Sequence, residues 1–205
     1  MTDVKVALFD YGAGNLHSLG KGLEAGGAEV VITDDWDEAL AADALVLPGV
    51  GSFNAAVRAL AGREADVRDA LEDGLPCLGI CLGMQLLFSR SEEGEGTGIG
   101  LLPGEVRKLR GRRVPQMGWN DVTVTGDPLF HGTKGPEGLV AYYANSYVCE
   151  VTEAPGAVIA WSEYEGQRFA AAVRRARTVG VQFHPEKSSS PGLHLIRNFL
   201  DEVRR

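Results

Sequence analysis

The segment Gly79-Ile80-Cys81-Leu82-Gly83 places a cysteine between two glycines. An apolar run from Pro76 precedes this segment, and a helix-like pattern that we expect to continue to about Arg90 follows it. Between a strand and a helix, a G-x-nucleophile-x-G sequence forms a sharp turn that exposes the nucleophile. The glycines avoid steric clashes in that turn, and the start of a helix favours a thiolate. Cys81 is therefore predicted to be a nucleophile that attacks a carbonyl carbon.

A second candidate group, His184-Pro185-Glu186, follows another apolar run. Residues i and i+2 of an extended segment point the same way, so Glu186 is expected to lie beside His184. The carboxylate would orient one imidazole nitrogen, and the other nitrogen would face the nucleophile. This arrangement predicts a catalytic triad in which cysteine replaces serine.

The loop Pro48-Gly49-Val50-Gly51-Ser52-Phe53 could stabilise a negatively charged oxygen. It follows an apolar strand, and functional loops of an open parallel sheet lie at the carboxyl ends of its strands. Backbone N–H groups of Gly49, Val50 and Gly51, with that of Leu82 after the nucleophile, would form an oxyanion hole. An ordinary turn whose glycines serve only its geometry is the alternative.

The elements that must position these groups alternate between strand and helix in the first half of the chain. Strands are predicted at 4–9, 29–32, 44–47 and 76–80, and helices at 15–26, 53–61, 63–73 and 82–90. Short antiparallel strands are predicted near 122–124, 139–143, 158–161 and 170–173, then a core strand at 179–183 and a helix at 192–202. The prediction is an α/β fold with an open, mainly parallel sheet flanked by helices, with additional antiparallel strands in the C-terminal half.

Composition narrows the class of protein. A chain of 205 residues fits a single domain, 1–205, and a net charge of −8 argues against nucleic-acid binding. Three cysteines without a regular spacing suit a reducing compartment, and Cys77 and Cys149 are expected to be structural. There is no signal-peptide pattern and no apolar run long enough to span a membrane. A cytoplasmic protein without membrane association is expected.

Two other segments of the sequence suggest binding sites. The basic segment Arg107–Arg113 is either a solvated surface or a patch that docks a partner. The sequence Gly12-Ala13-Gly14 suggests a dinucleotide site, but His17 occupies the place of the third glycine. No cofactor and no metal site are predicted.

The chain resembles the class I, or triad, glutamine amidotransferases. The resemblance depends on the three segments described above, around Cys81, His184 and Gly49. Within that family the chain is similar to the glutaminase subunits of imidazole glycerol phosphate synthase, an enzyme of histidine biosynthesis. The segments that narrow the resemblance are Asp10-Tyr11-Gly12-Ala13-Gly14-Asn15-Leu16, Pro115-Gln116-Met117-Gly118-Trp119-Asn120 and His184-Pro185-Glu186-Lys187-Ser188.

The resemblance implies a function for each of these residues. Cys81 would attack the side-chain amide of L-glutamine and form a glutamyl thioester. His184 would transfer the proton, and Glu186 would orient the His184 imidazole. Ammonia would then pass to a separate (β/α)₈-barrel cyclase subunit that forms imidazole glycerol phosphate and aminoimidazole carboxamide ribotide. The residues implied to bind glutamine are Gln85, Ser146 and Tyr147, and those implied at the interface with the cyclase are Asn15, Trp119 and Lys187.

One position departs from the family pattern, and three alternatives stay open. Asn145 stands where the family often has histidine before Ser-Tyr, which concerns substrate contact or coupling and leaves the triad intact. The alternatives are a free-standing cysteine hydrolase, a binding module that has lost catalysis, and an amidotransferase subunit of another pathway.

Overall fold

The computed structural model describes residues 4–12, 14, 16–134, 138–152 and 154–205. The strands are β1 (Val4–Phe9), β2 (Ala28–Thr33), β3 (Ala44–Leu47), β4 (Cys77–Ile80), β5 (Gly104–Lys108), β6 (Gln116–Val124), β7 (Leu139–Asn145), β8 (Tyr147–Val151), β9 (Val158–Tyr164), β10 (Gln167–Arg175) and β11 (Thr178–Val181). The helices are α1 (His17–Ala25), α2 (Trp36–Leu40), α3 (Phe53–Leu60), α4 (Glu64–Glu72), α5 (Leu82–Gln85) and α6 (Ser189–Val203).

Nine strands form one mixed sheet in the order β2-β1-β3-β4-β11-β10-β9-β6-β7. The strands from β2 to β11 in that order are parallel. Helical crossovers connect β1 to β2, β2 to β3 and β3 to β4, as parallel pairing requires. Strands β10, β9, β6 and β7 continue the sheet in antiparallel pairing. The predicted fold class is confirmed.

Helices cover both faces of the parallel strands. Consecutive residues of β3, such as Leu45 and Val46, contribute to different hydrophobic clusters on opposite faces of the sheet. Helices α1 and α6 pack on the face that contains Val46, and α2, α3 and α4 pack on the other. Burial on both faces explains the unbroken apolar character of β3. No helix in the described part of the chain is long and apolar enough to cross a membrane.

The three strands that carry the candidate groups are neighbours. Strand β4 lies between β3 and β11 and is parallel to both. Leu47 pairs with Gly79, and Val181 pairs with Ile80, so the three strands end at nearly the same level. The loops that follow them therefore meet at one edge of the sheet, as the sequence analysis predicted.

The prediction of a helix to Arg90 is wrong, because α5 ends at Gln85. The backbone carbonyls beyond it have other partners: Leu86 O accepts from Ile99 N and Leu87 O from Leu102 N, at 2.8 and 3.0 Å. Phe88 also forms a β-bridge with Leu102. A segment distant in the sequence thus competes for the hydrogen bonds that would extend the helix.

Other differences concern elements that are missing from the prediction or longer than predicted. Helix α2, strand β8 and the separate two-stranded sheet of β5 and β8 were not predicted from the sequence. Strands β6 and β10 and helix α6 are longer than predicted. The predicted N-cap, Asn15, lies outside the described residues; α1 begins at His17.

Candidate active site

Cys81 lies on a strained turn between β4 and α5. Its φ is 47°, a left-handed conformation that costs energy for a residue with a side chain. The Cys81 N–H donates to Val181 O at 2.7 Å, and its carbonyl accepts from Gln85 N at 3.0 Å. These bonds hold the backbone in the strained conformation. The structure thus has the strand–turn–helix geometry predicted for a nucleophile elbow.

His184 and Glu186 contact each other directly. Nδ1 of His184 lies 2.8 Å from Oε1 of Glu186, and the His184 side chain is buried. The prediction of an extended segment through Glu186 is wrong, because Pro185–Lys187 is a 3₁₀ turn. Pro185 fixes φ at the first position of that turn, and Lys187 N donates to His184 O at 3.0 Å. The turn, rather than strand alternation, brings the carboxylate to the imidazole.

The surroundings of His184 favour its protonated form. Burial has the largest effect and lowers the pKa of His184, but the hydrogen bonds and charges of Cys81 and Glu186 together outweigh it. They raise that pKa from 6.5 to about 9. At neutral pH the imidazole is therefore a cation between the sulfur of Cys81 and the carboxylate of Glu186.

This raised pKa predicts a pH-dependent stability. The folded protein binds the His184 proton more tightly than the unfolded chain, so the stabilisation is complete below pH 6.5 and is lost as the pH rises through about 9. Urea denaturation at several pH values should show the free energy of unfolding falling over this range, by no more than about 3 kcal/mol. Glu186→Gln should make that fall smaller. An equally steep fall in the variant would show that Glu186 does not raise the pKa of His184.

Cys81 opens onto a cavity of about 220 Å³. The cavity is lined by Gly49, Gly51, Cys81, Leu82, Gln85, Glu93, Ala144, Asn145, Ser146 and Tyr147. Seven candidate site residues, together with Asn145, thus line one space, which suits a ligand smaller than those of typical drug-sized sites of about 300–1,000 Å³. Leu82 is the first residue of α5, so its N–H has no carbonyl partner within the helix.

Gly49 lies directly against the reactive groups. A Cβ atom there would lie 2.8 Å from Cε1 of His184 and 3.0 Å from Cβ of Cys81. Val50, by contrast, packs on Gly14, where an added Cβ would come within 2.6 Å of Cγ2 of Val50. The loop therefore contacts both the reactive groups and the segment after β1.

Two residues that contact the site were not identified as functional from the sequence. The buried side chain of Gln182 donates from Nε2 to Sγ of Cys81 at 3.4 Å, and Glu93 lines the cavity. Gln182 lies two residues before His184, a spacing that could have indicated it. Glu93 follows no periodic pattern. In the described part of the chain, no group of three or more His, Cys, Asp or Glu residues could hold a metal ion.

The predicted interface residues are on the surface where the structure describes them. Trp119 is 56% exposed and packs edge-on against Tyr142, and Lys187 is exposed beside the triad. Asn15 lies outside the described residues. In the basic segment, Arg107 forms ion pairs with Glu92 and Glu105, at 3.1 and 2.5 Å, so part of its charge is neutralised within the chain.

The fold and the sequence both match known proteins. In overall fold the chain resembles a crystal structure titled glutamine amidotransferase, with a TM-score of 0.74, 22% identity and coverage of 98% of this chain and 99% of the other. It also resembles PurLQS from Thermotoga maritima, with a TM-score of 0.75, 19% identity and coverage of 98% and 100%.

Relatives named "Imidazole glycerol phosphate synthase subunit HisH" are more similar in sequence. That of Moorella thermoacetica is 47% identical, covering 97% of this chain and 95% of the relative. That of Gloeothece citriformis is 44% identical, covering 97% and 96%. The sequence model of the family "Glutamine amidotransferase class-I" matches residues 7–203. The chain therefore belongs to the class I glutamine amidotransferases and, within them, to the HisH family.

Proposed function

We propose that this chain is the glutaminase subunit of imidazole glycerol phosphate synthase and that it hydrolyses L-glutamine through Cys81, His184 and Glu186. The observation that carries the site assignment is the cysteine on a strained turn, with the His184–Glu186 pair beside it, at one small cavity. The names of the HisH relatives support the choice of synthase.

In the first half of the reaction, the Cys81 thiolate attacks the side-chain carbonyl carbon of glutamine. The carbonyl π electrons move to oxygen, which the N–H groups of Leu82 and of the loop at Gly49, Val50 and Gly51 stabilise. Protonated His184 gives its proton to the amide nitrogen, the C–N bond breaks, and ammonia leaves. The products of this half are a glutamyl thioester on Cys81 and a neutral imidazole.

In the second half, neutral His184 accepts a proton from water as the water oxygen attacks the thioester carbonyl. The C–S bond then breaks as the carbonyl double bond re-forms, which restores the thiolate and leaves His184 protonated. The product acid gives its remaining proton to solvent and leaves as glutamate. Glu186 holds the imidazole through Nδ1, so its other nitrogen faces the reaction. A raised His184 pKa suits both proton transfers, since the cation is present before attack and is regenerated at the end.

The cavity contains groups that suit the polar ends of glutamine. Glu93 supplies a carboxylate for the α-ammonium group; its Oε1 also accepts from Phe53 N at 3.2 Å. Gln85 is held by the Tyr147 carbonyl at 3.3 Å, where it can contact the substrate. Ser146 and Tyr147 also line the cavity.

The ammonia requires an acceptor, which we infer to be the (β/α)₈-barrel cyclase subunit in a heterodimer with this single-domain, cytoplasmic chain. The proposed interface includes Asn15, Trp119 and Lys187, and exposed Trp119 supports it. The direct test is glutamate release by the chain alone and with the cyclase and its nucleotide ligand. Low activity alone with strong stimulation is expected, whereas full activity alone would indicate a free-standing hydrolase.

Trp119→Ala is expected to weaken binding to the cyclase subunit by about 10- to 100-fold, because a buried tryptophan anchor commonly contributes 2 kcal/mol or more. Titration calorimetry with the purified cyclase would measure this. The matched control is Ile32→Ala, which removes another exposed apolar side chain (54%) from β2, at the opposite edge of the sheet. Equal affinities for Trp119→Ala and Ile32→Ala would place the interface elsewhere.

A further inference from the structure

The side chain of Gln182 is fully buried between Cys81 and Gln85. Its Nε2 lies 3.4 Å from Sγ of Cys81, and its Oε1 accepts from Nε2 of Gln85 at 3.3 Å. We propose that Gln182 is a positioning residue that donates a hydrogen bond to the reactive sulfur and holds its direction toward the cavity. This inference rests on the proposed function of Cys81 as the nucleophile.

The orientation of the Gln182 amide follows from a backbone carbonyl. The carbonyl oxygen of Tyr147 only accepts hydrogen bonds, so Gln85 must turn its NH₂ group toward it. That NH₂ group also faces Gln182, which must therefore present its oxygen to Gln85. The NH₂ group of Gln182 is then left facing Sγ of Cys81. The donor at the sulfur is thus determined by hydrogen-bond complementarity.

Hydrogen bonds also hold the backbone around Gln182 in place. Gln182 N donates to Ala171 O at 2.9 Å, and the preceding carbonyl, that of Val181, accepts from Cys81 N at 2.7 Å. One short segment therefore contacts both the backbone and the sulfur of Cys81. Because this segment leads directly to His184, the thiol and the imidazole are positioned by the same stretch of chain.

The Gln182 amide can donate a hydrogen bond to the sulfur throughout the reaction, which His184 cannot do. The His184 proton is transferred during the proposed reaction, whereas the Gln182 amide does not titrate and remains a donor at every step. When the thioester is hydrolysed, sulfur leaves as an anion on a buried side chain, where a charge without hydrogen-bond partners is costly. The Gln182 N–H faces the sulfur both while His184 is neutral, in the thioester, and when the anion leaves beside protonated His184.

Gln182→Met tests this inference, since it keeps the length and apolar packing of the side chain and removes the donor. We expect kcat for glutamate release, measured with the cyclase partner, to fall by about 10- to 100-fold, as for the loss of one bond to a charged group. The KM for glutamine should not change. Alkylation of Cys81 by iodoacetamide, measured on the chain without glutamine, should slow by a similar factor.

The matched control is Thr178→Val on β11, the strand that leads to Gln182; it removes a buried hydroxyl without a hydrogen-bond partner. Its kcat and alkylation rate should equal those of wild type. If Gln182→Met does not fold, Gln182→Asn makes the same test, since its shorter amide is withdrawn from the sulfur. An unchanged alkylation rate in a folded variant, or a change in KM alone, would overturn the inference.

Cys81→Ala in the same assay separates this inference from the proposed function. If Cys81→Ala is inactive and Gln182→Met behaves as wild type, Cys81 remains the nucleophile and only the positioning function of Gln182 is wrong. If Cys81→Ala keeps its activity, the proposed mechanism itself is wrong.

Discussion

Replacing Cys81 with alanine should reduce glutamate release from glutamine by about ten-thousand-fold or more, because removing the nucleophile of a triad leaves only binding and charge stabilisation. The assay is glutamate formation in the presence of the cyclase partner. Binding of glutamine by Cys81→Ala, measured by calorimetry, should persist, since the cavity walls that hold the substrate are intact.

Cys77→Ala is the matched control for this prediction. Cys77 lies on β4, four residues before Cys81, and burial raises its pKa far above the usual range for a thiol. Burial likewise raises the pKa of Cys149, to which Cys81 adds a smaller effect. Both are therefore thiols at neutral pH, and iodoacetamide should label Cys81 alone. A comparable loss of activity in Cys77→Ala would mean that disruption of β4, rather than loss of a nucleophile, explains the Cys81 result.

Gly83→Ala should lower the free energy of unfolding by about 3 kcal/mol, because it adds an atom where the chain is already in contact. A Cβ atom at this position would overlap the carbonyl oxygen of Leu47 and lie 2.8 Å from Cβ of Leu47. To relieve the overlap, α5 would have to separate from β3. Urea denaturation of the variant should show the lower stability, and the displaced elbow should also reduce glutamate release.

Gly20→Ala serves as its control, because it makes the same substitution in α1 with space available. The nearest atom to the added Cβ, Cδ2 of Leu8, is 4.0 Å away, which is an ordinary contact. Alanine is favoured over glycine within a helix by roughly 1 kcal/mol, so this variant should be at least as stable as wild type. A Gly83→Ala protein as stable as Gly20→Ala would show that the elbow can relax without cost.

The sequence by itself determined the fold class and most elements of the core. Alternation of apolar runs with amphipathic segments predicted β1, β3 and β4 and the helices α1, α3 and α4, since hydrophobic periodicity directly reflects burial. The glycines around Cys81 predicted the strained turn, because only small residues fit where β3, β4 and α5 meet. Local chemistry was therefore sufficient to select Cys81, His184 and Glu186 as candidates.

Only the tertiary structure decided where these local preferences are overruled. Leu86-Leu87-Phe88 is apolar enough to continue α5, but its carbonyls bond to residues 99 and 102, which the sequence pattern cannot associate with it. The 3₁₀ turn at Glu186, the position of Glu93 in the cavity and the contact of Gln182 with sulfur are likewise results of packing between distant segments. Periodicity describes which side of an element is buried, whereas the partner that buries it is determined by the fold as a whole.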